Sequence, residues 1–427
     1  MSHLNVPPTQ NPMVEILLNC LHQDLSCYPS DQLLGLSSRE WENLVDLSIQ
    51  HRVVPLLYNR LANKDIRTKT GGYHQAVEKL QAYSRQVSKN NLLYYGQLRN
   101  LLNRLNQHGI PAIPLKGIYL AEKIYMNPGM REMNDMDVLF RRKDLESVFH
   151  ILSDMSYKPI KPIETGKMSY FTRNSVHLPR LIKEDVAGFE IHWNIAKPGQ
   201  NYSIDPEELW QRARPESIAG EEAMALAPED LLLHLCFHTS YDHMFSFGMR
   251  PFYDIAEVVK FNRESIDWDQ LTERAIRYRW TRGVYLAMVI ARDFTGAEIP
   301  DHVFDQIKST TCNSQMLLTA KVQILTDKET SKKVSMTMVD FVTADNNINR
   351  TKTVLSRIFL PKERMYSKYP IQPGSSKIYA YYIIRFWQML LDHSLRLVRI
   401  SRSKDELSGI VKRKQALHLW MNGEDKV

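Results

Sequence analysis

The sequence has few cysteines and few glycines for its length. Its 427 residues include 4 Cys and 17 Gly. The cysteines, at positions 20, 27, 236 and 312, form no close pair and have no histidine partners at the spacing of a zinc site. They are also too few to staple a chain this long with disulfides. These absences exclude a disulfide-rich scaffold and a zinc finger, and they favour a reducing compartment.

Export and membrane signals are lacking as well. Residues 1–12 are polar and proline-bearing, without the basic start and apolar core of a signal peptide. The most apolar late segment, residues 378–391, is too short to span a bilayer and is interrupted by Arg385. We therefore expect a cytoplasmic protein with no membrane span, in which residues 378–391 form an amphipathic, partly buried helix.

Length and periodicity predict a helix-rich protein of the α+β class. Hydrophobic residues at 43% and charged residues at 24% are typical of globular proteins, and the chain is long enough for two or three domains. Apolar residues recur at helical spacing over residues 73–107, and Gly109 follows as a C-terminal cap. We predict an N-terminal helical region (1–108), a core with a small mixed β-sheet (109–204), a helical domain completing the cleft (205–345) and a basic C-terminal helical region (346–427).

Positive charge is concentrated near the C-terminus. The net charge is +7, but residues 350–414 hold 15 Lys or Arg against 4 Asp or Glu, so the remainder of the chain is net negative. Tyrosines and Trp387 lie among these basic residues. Such a segment favours contact with a nucleic acid backbone or another polyanion. A solvated basic helical face explains the charge equally well.

Two aspartates one residue apart stand in a short apolar run. In a strand, alternate side chains face the same way, so Asp135 and Asp137 point together while Met136 and Val138 point to the opposite face. Two carboxylates aimed at one point repel each other unless a cation lies between them. The pattern therefore suggests a hard divalent cation, most naturally Mg²⁺ with a phosphate.

A Lys-Gly step precedes these aspartates. Residues 110–115 are predicted to form a strand, and a helix is predicted to begin directly after it at Gly117. Glycine lets a phosphate approach the free N–H groups of a helix start, and Lys116 adds a full positive charge. By itself the step is common, and it gains weight from the aspartates that follow.

A third acid is expected to complete a metal site. Glu190 lies in an alternating run, in which Phe189, Ile191 and Trp193 face one way and Glu190 and His192 the other. The alternative interpretation is a solvent-facing pair on an edge strand.

These features together resemble the nucleotidyltransferase superfamily of the β-type DNA polymerases. More narrowly, the sequence is similar to a largely uncharacterised bacterial nucleotidyltransferase family. The resemblance covers most of the chain after about residue 30. It rests on Leu115-Lys116-Gly117, Tyr125, Arg131, Asp135-Met136-Asp137-Val138-Leu139, Glu190-Ile191-His192-Trp193, Pro228-Glu229-Asp230-Leu231-Leu232, His238, Asp254-Ile255 and Leu360-Pro361.

The resemblance implies a Mg²⁺-dependent enzyme, with Mn²⁺ as a substitute, that transfers an NMP from an NTP such as ATP to an acceptor and releases pyrophosphate. Asp135, Asp137 and Glu190 would be the catalytic and metal-binding residues. Lys116, Gly117 and Arg131 would hold the phosphates. The superfamily usually has Gly-Ser where this chain has Gly117-Ile118.

Three questions stay open at the level of sequence. The acceptor is an RNA such as tRNA, a sugar, a lipid-linked saccharide, a peptide or a protein hydroxyl. The alternatives to the transferase are an inactive module that binds nucleotide or a partner, and a phosphotransferase on the same fold. His234, His238 and His243 resemble a metal cluster, but no glutamate follows the first histidine as in a zinc protease. We interpret His238 and Asp254 as residues that support the nucleotide pocket.

Overall fold

A computed structural model describes residues 11–62, 71–160, 172, 175–184, 186–196, 202, 204–308 and 314–327, and shorter stretches beyond, of which 374–388 and 404–423 are the longest. The chain divides into two compact units. One comprises residues 1–162 and 174–325, and the other comprises 163–173 and 326–427. The predicted division into four regions stays a prediction.

The first unit begins with a layer of helices. Helix α3 starts with a capping box, in which the Ser37 hydroxyl accepts from the Glu40 amide and the Glu40 carboxylate accepts from the Ser37 amide. Helix α5 has 37 residues and is followed by Gly109 at φ +65°, as the sequence predicts. The helices are α1 (Pro12–Leu21), α2 (Ser30–Leu34), α3 (Ser38–Gln50), α4 (Val54–Ala62) and α5 (Gly71–Gln107).

A mixed five-stranded sheet follows, in the order β1-β2-β5-β4-β3. Strands β2 and β5 are parallel and the other pairs are antiparallel. The strand predicted over residues 110–115 is shorter, at Ile113 and Pro114, because Pro111 and Pro114 have no N–H to donate to a ladder. Leu115 still donates its N–H to the Asp137 carbonyl at 2.8 Å. The strands are β1 (Ile113–Pro114), β2 (Asp135–Leu139), β3 (Lys158–Pro159), β4 (Leu181–Lys183) and β5 (Val186–His192).

Short helices connect the strands at the site. Helix α6 (Lys116–Tyr119) starts directly after β1 and continues as a π-helical turn over Leu120–Ile124, close to the predicted helix. Helix α7 (Leu145–Asp154) follows β2. The apolar faces predicted for β2 and β5 are buried, with Met136, Phe189, Ile191 and Trp193 at most 1% exposed. Their burial turns the remaining side chains of these strands toward the site.

The rest of the first unit is helical apart from one hairpin. The hairpin turns at Ala219 and Gly220, both with positive φ, and Met224 donates to the carbonyl of Ala112 beside β1. The elements are α8 (Pro206–Arg212), β6 (Arg214–Ile218), β7 (Glu221–Ala225), α9 (Pro228–Phe237), α10 (Arg250–Phe261), α11 (Trp268–Arg277), α12 (Thr281–Thr295), α13 (Asp301–Ile307) and α14 (Ser314–Leu325). The predicted fold class, α+β and rich in helix, is confirmed.

The second unit contains a helix at Lys404–Asn422 and a small apolar cluster that includes Leu407, Ile410 and Val411. Residues 377–388 are helical and partly buried, as expected, but burial does not follow polarity, because Arg385 is buried whereas Ile383 and Trp387 are exposed. Much of the basic segment 350–414 lies outside the described residues. In the described part of the chain, every helix is too short or too polar to cross a membrane.

Candidate active site

The parallel pairing of β2 with β5 brings the predicted acids together. Asp137 lies opposite Glu190, and Asp135 lies opposite Gly188. Because the side chains of paired residues project from the same face of a sheet, Asp135, Asp137 and Glu190 converge. Among the described residues, one group of three side chains has metal-binding atoms within 4.8 Å of one another: Asp137, Glu190 and His192. The edge-strand alternative for Glu190 is wrong, because β5 has a neighbour on each side.

Two basic side chains hold Asp137 from different directions. Its Oδ1 lies 3.0 Å from Lys116 Nζ and 2.8 Å from His192 Nε2. His192 Nε2 also lies 3.5 Å from Glu190 Oε2. The side chains of Asp137 and His192 are 6% exposed, whereas that of Glu190 is 22% exposed. Glu190 is therefore the acid of this pair that a ligand can reach more easily.

The two aspartates have opposite pKa shifts. Burial pushes the pKa of Asp137 upward, but Lys116 and His192 outweigh it and hold this pKa well below its usual value. Burial and the neighbouring carboxylates of Asp137 and Glu190 raise the pKa of Asp135. Asp137 therefore has its countercharges within the protein, whereas Asp135 sits where an added cation would relieve repulsion.

The surroundings of His192 favour its charged form. Burial lowers its pKa, but hydrogen bonds to Asp137 and Glu190 outweigh burial and raise the pKa above its usual value. The same hydrogen bond opposes the effect of burial on Glu190 and leaves the pKa of that carboxyl lowered. In the protein alone, His192 and Lys116 thus offset part of the charge of the three acids.

These shifts predict how stability depends on pH when metal is chelated. Asp137 has a lowered pKa, so its contribution is present above about pH 3.9 and is lost as pH falls through its folded value. His192 has a raised pKa, so its contribution is present below about pH 6.5 and is lost as pH rises through its folded value. The buried His234 and His238 have pKa values well below the usual value, so their contribution is present above about pH 6.5 and is lost as pH falls. We therefore expect thermal unfolding in EDTA to give the highest Tm at about pH 6.5.

A His192→Gln variant provides the control for this profile. Glutamine cannot be protonated, so the decline of Tm on the alkaline side should become shallower while the acid side stays. An alkaline decline of the same slope in wild type and variant would contradict the assignment.

The Lys-Gly step has an unusual backbone. Lys116 adopts φ +46°, a left-handed conformation that costs a non-glycine residue about 1–2 kcal/mol. A Cβ on Gly117 would lie 2.2 Å from Arg131 Nη1 and 2.9 Å from Met133 Cγ. Glycine is therefore needed at 117 to make room for the Arg131 side chain. Binding of phosphate by Lys116 and Gly117 stays a prediction.

Arg131 forms a buried ion pair with Asp254. Its Nε and Nη2 donate to both oxygens of Asp254, at distances of 2.9 to 3.2 Å, and Tyr125 donates to the same carboxylate at 3.0 Å. Asp254 lies on α10, so the pair joins the β2 region to the helical part of the unit. Phosphate binding by Arg131 remains a prediction, and it would compete with Asp254 for the guanidinium.

The three histidines lie close to the acids, on and after α9. His238 Nε2 and His243 Nε2 are 3.1 Å apart, and His234 is buried. Burial and the charge of Lys116 hold the pKa values of His234 and His238 well below the usual value, so both are neutral. Because the charges of Lys116 and Asp137 affect the pKa values of His234 and His238, these two histidines lie beside the site. A pocket-supporting role for His238 stays a prediction.

One cation at the site has no obvious signal in the sequence. Arg180, just before β4, donates from Nη2 to the backbone carbonyl of Asn134, next to Asp135. A Cβ on Gly188 would lie 2.6 Å from Arg180 Nε, so glycine opposite Asp135 leaves room for this side chain. Gly188 is the one sign of this contact in the sequence, but a single glycine does not indicate which side chain lies against it.

Comparison with protein families identifies one match. The model of a family described as uncharacterised nucleotidyltransferase matches residues 37–296, a range that includes every site residue above. No curated protein matches the chain.

Proposed function

This chain belongs to a family of uncharacterised nucleotidyltransferases, and from that membership we propose that it transfers an NMP group from an NTP to an acceptor hydroxyl or phosphate. The observation that carries the proposal is the convergence of Asp135, Asp137 and Glu190 on one face of paired strands. Carboxylates so arranged are suited to phosphoryl chemistry with a divalent cation.

The residues fit such a cation. Carboxylate oxygens of Asp137 and Glu190 lie within 4.8 Å of each other. Burial and the neighbouring carboxylates make the charged form of Asp135 unfavourable, and a cation would relieve this repulsion. Asp135, Asp137 and Glu190 would hold Mg²⁺, and Mn²⁺ could replace it on the same carboxylate oxygens. When bound, the cation would offset the charge of the triphosphate and polarise the phosphoryl oxygen under attack.

The protein's own groups have separable roles in the transfer. The acceptor oxygen bonds to the α-phosphorus, the bond from that phosphorus to the bridging oxygen breaks, and pyrophosphate leaves. Glu190 is ionised at neutral pH and is more exposed than Asp137, so it is the carboxylate of that pair that the acceptor's proton would reach. Lys116 contributes positive charge to the phosphates, and His192 orients Glu190 and Asp137.

The proposal is tested by following which phosphate of ATP is transferred to the acceptor. The protein is incubated with Mg²⁺, candidate acceptors such as tRNA, sugars and peptides, and ATP labelled at either the α- or the γ-phosphate. We expect α-label on an acceptor and γ-label in pyrophosphate. Transfer of γ-label to the acceptor with release of ADP would replace the proposal with a phosphotransferase.

The Asp135→Asn, Asp137→Asn double variant is the matched control, because it removes two charges while keeping side-chain size. Its transfer should fall at least about 1,000-fold, on the scale of losing major charge-stabilising groups at an active site. Unaltered transfer by this variant would contradict the assignment. Calorimetric binding of NTP by wild type without pyrophosphate release over hours, across the acceptor panel, would favour the inactive binding module.

A further inference from the structure

Three arginines from distant parts of the chain converge on the residues that precede Asp135. Arg52 follows α3, Arg180 precedes β4 and Arg250 is the first residue of α10. Each forms a polar contact with Glu132 or Asn134. The start of β2, and with it Asp135, is therefore bordered by three guanidinium groups.

Arg52 and Arg180 approach Asn134 from two directions. With the Asn134 amide oriented so that its oxygen accepts, Arg52 Nη2 donates to that oxygen at 2.9 Å. Arg180 Nη2 donates to the backbone carbonyl of the same residue. Asp135 is the next residue, and Arg180 is one of the two cations that lower its pKa against the larger effects of burial and repulsion.

Arg250 lies behind these two. Its Nη1 donates to the Glu132 carbonyl at 3.0 Å. The Nε atoms of both Arg250 and Arg180 are buried and have no hydrogen-bond partner among the described residues. Burial, together with the neighbouring guanidinium of Arg131, lowers the pKa of Arg250 to about 10. The two arginines thus have donor capacity that the protein itself does not use.

Positive charge exceeds negative charge at this point. Within the described part of the chain, the Glu132 carboxylate lies at ion-pair distance from Arg52, with its Oε1 3.8 Å from Arg52 Nε. The other Glu132 oxygen accepts from Tyr83 at 3.1 Å. Asp135 is the second carboxylate at this point, and Arg180 acts on it electrostatically. Three guanidiniums therefore face two carboxylates, and an anionic ligand would complete the balance.

The backbone is arranged to bring two of these side chains in. Arg52 adopts φ +57° directly after a helix, where glycine is the usual residue. Gly188 leaves the space that Arg180 crosses. The strained backbone of Arg52 and the space that Gly188 leaves for Arg180 both point to a function for these guanidiniums.

We propose that Arg52, Arg180 and Arg250 bind the β- and γ-phosphates of the NTP and thereby select triphosphates over monophosphates. The planar guanidinium fork matches phosphate oxygens, and the cluster borders Asp135, one of the acids proposed to hold the cation on the triphosphate. This inference rests on the proposed function for the identity of the nucleotide. The binding of a polyphosphate anion rests on the arginines alone.

Binding measurements without an acceptor test the proposal. Calorimetry with Mg²⁺ compares a non-hydrolysable ATP analogue, AMP and inorganic tripolyphosphate on wild type and on the Arg52→Gln, Arg180→Gln double variant. We expect the double variant to bind the ATP analogue and tripolyphosphate about 10- to 100-fold more weakly, since each charge-assisted hydrogen bond is worth about tenfold or more. AMP affinity should stay within about twofold, well inside the effect of one hydrogen bond.

Matched variants separate binding from folding. Arg104→Gln, at an exposed position of α5, should bind like wild type. The Arg52→Lys, Arg180→Lys double variant should retain part of the affinity, because lysine keeps the positive charge and lacks the planar guanidinium.

The binding results distinguish failure of the anion site from failure of the proposed function. Unchanged triphosphate affinity in the double variant, or equal losses for the ATP analogue and AMP, would overturn the inference, as would a wild type that binds no tripolyphosphate. Arginine-dependent binding of tripolyphosphate by a wild type that binds no nucleotide would support the anion site and count against the proposed function instead.

Discussion

Replacing Asp137 by asparagine is expected to lower the free energy of unfolding of the metal-free protein by about 3–5 kcal/mol, the range for breaking a buried ion pair. The Asp137 carboxylate accepts from Lys116 Nζ at 3.0 Å and from His192 Nε2 at 2.8 Å, and all three side chains are largely buried. An amide would leave Lys116 without this anionic partner, and His192 would keep only the more distant Glu190 at 3.5 Å.

Asparagine at position 135 is expected to act in the opposite direction. Burial and the carboxylates of Asp137 and Glu190 raise the pKa of Asp135, which means that its charge is unfavourable in the folded protein. Removing that charge should leave the stability unchanged or increase it.

Denaturant unfolding at pH 7 in EDTA measures both variants under one set of conditions. The two substitutions are chemically identical and two residues apart, so each is the control for the other. Equal destabilisation by both would contradict the charge balance described for the site. Because both residues are proposed to hold the cation, both variants should lose transfer activity even though only one loses stability.

The Arg131→Met variant is expected to be destabilised by about 3–5 kcal/mol as well. Arg131 and Asp254 are 7% and 3% exposed, and the guanidinium donates to both carboxylate oxygens. Methionine would leave Asp254 buried, with the hydrogen bond from Tyr125 as its remaining named donor. The change also removes the contact that joins the β2 region to α10.

An exposed pair gives the matched control. Arg263 and Glu298 lie 3.1 Å apart and are 69% and 66% exposed, so Arg263→Met should cost less than about 1 kcal/mol. Adding Asp254→Leu to Arg131→Met should recover much of the loss, because an apolar pair carries no desolvation penalty. Urea unfolding of the four proteins measures these differences. If Arg131→Met lowers the free energy of unfolding no more than Arg263→Met does, the buried Arg131–Asp254 pair is not a source of stability.

The same variants bear on the predicted phosphate role of Arg131. If the residue is only structural, Arg131→Met with Asp254→Leu should regain nucleotide affinity along with stability. If Arg131 also binds phosphate, affinity should stay low in the restored double variant.

Several elements of the fold are predictable from local sequence. The 3.6-residue repeat of apolar side chains and the glycine after it mark α5, and alternation marks β2 and β5. The same alternation turns Asp135 with Asp137, and Glu190 with His192, to one side. The β6–β7 hairpin has no such pattern, because residues such as Glu221, Glu222 and Ala223 favour helix when taken alone. It forms where positive φ at Ala219 and Gly220 reverses the chain beside β1.

The sequence by itself therefore determines which acids point together along each strand, because side-chain direction in a strand depends only on the parity of the position. Only the tertiary structure decides that Asp137 faces Glu190, that His192 joins them, that Arg131 is held by Asp254, and that Arg52 and Arg180 meet at Asn134. These partners are separated by tens of residues or more, and pairing at that range depends on strand register and helix packing, which no local periodicity specifies.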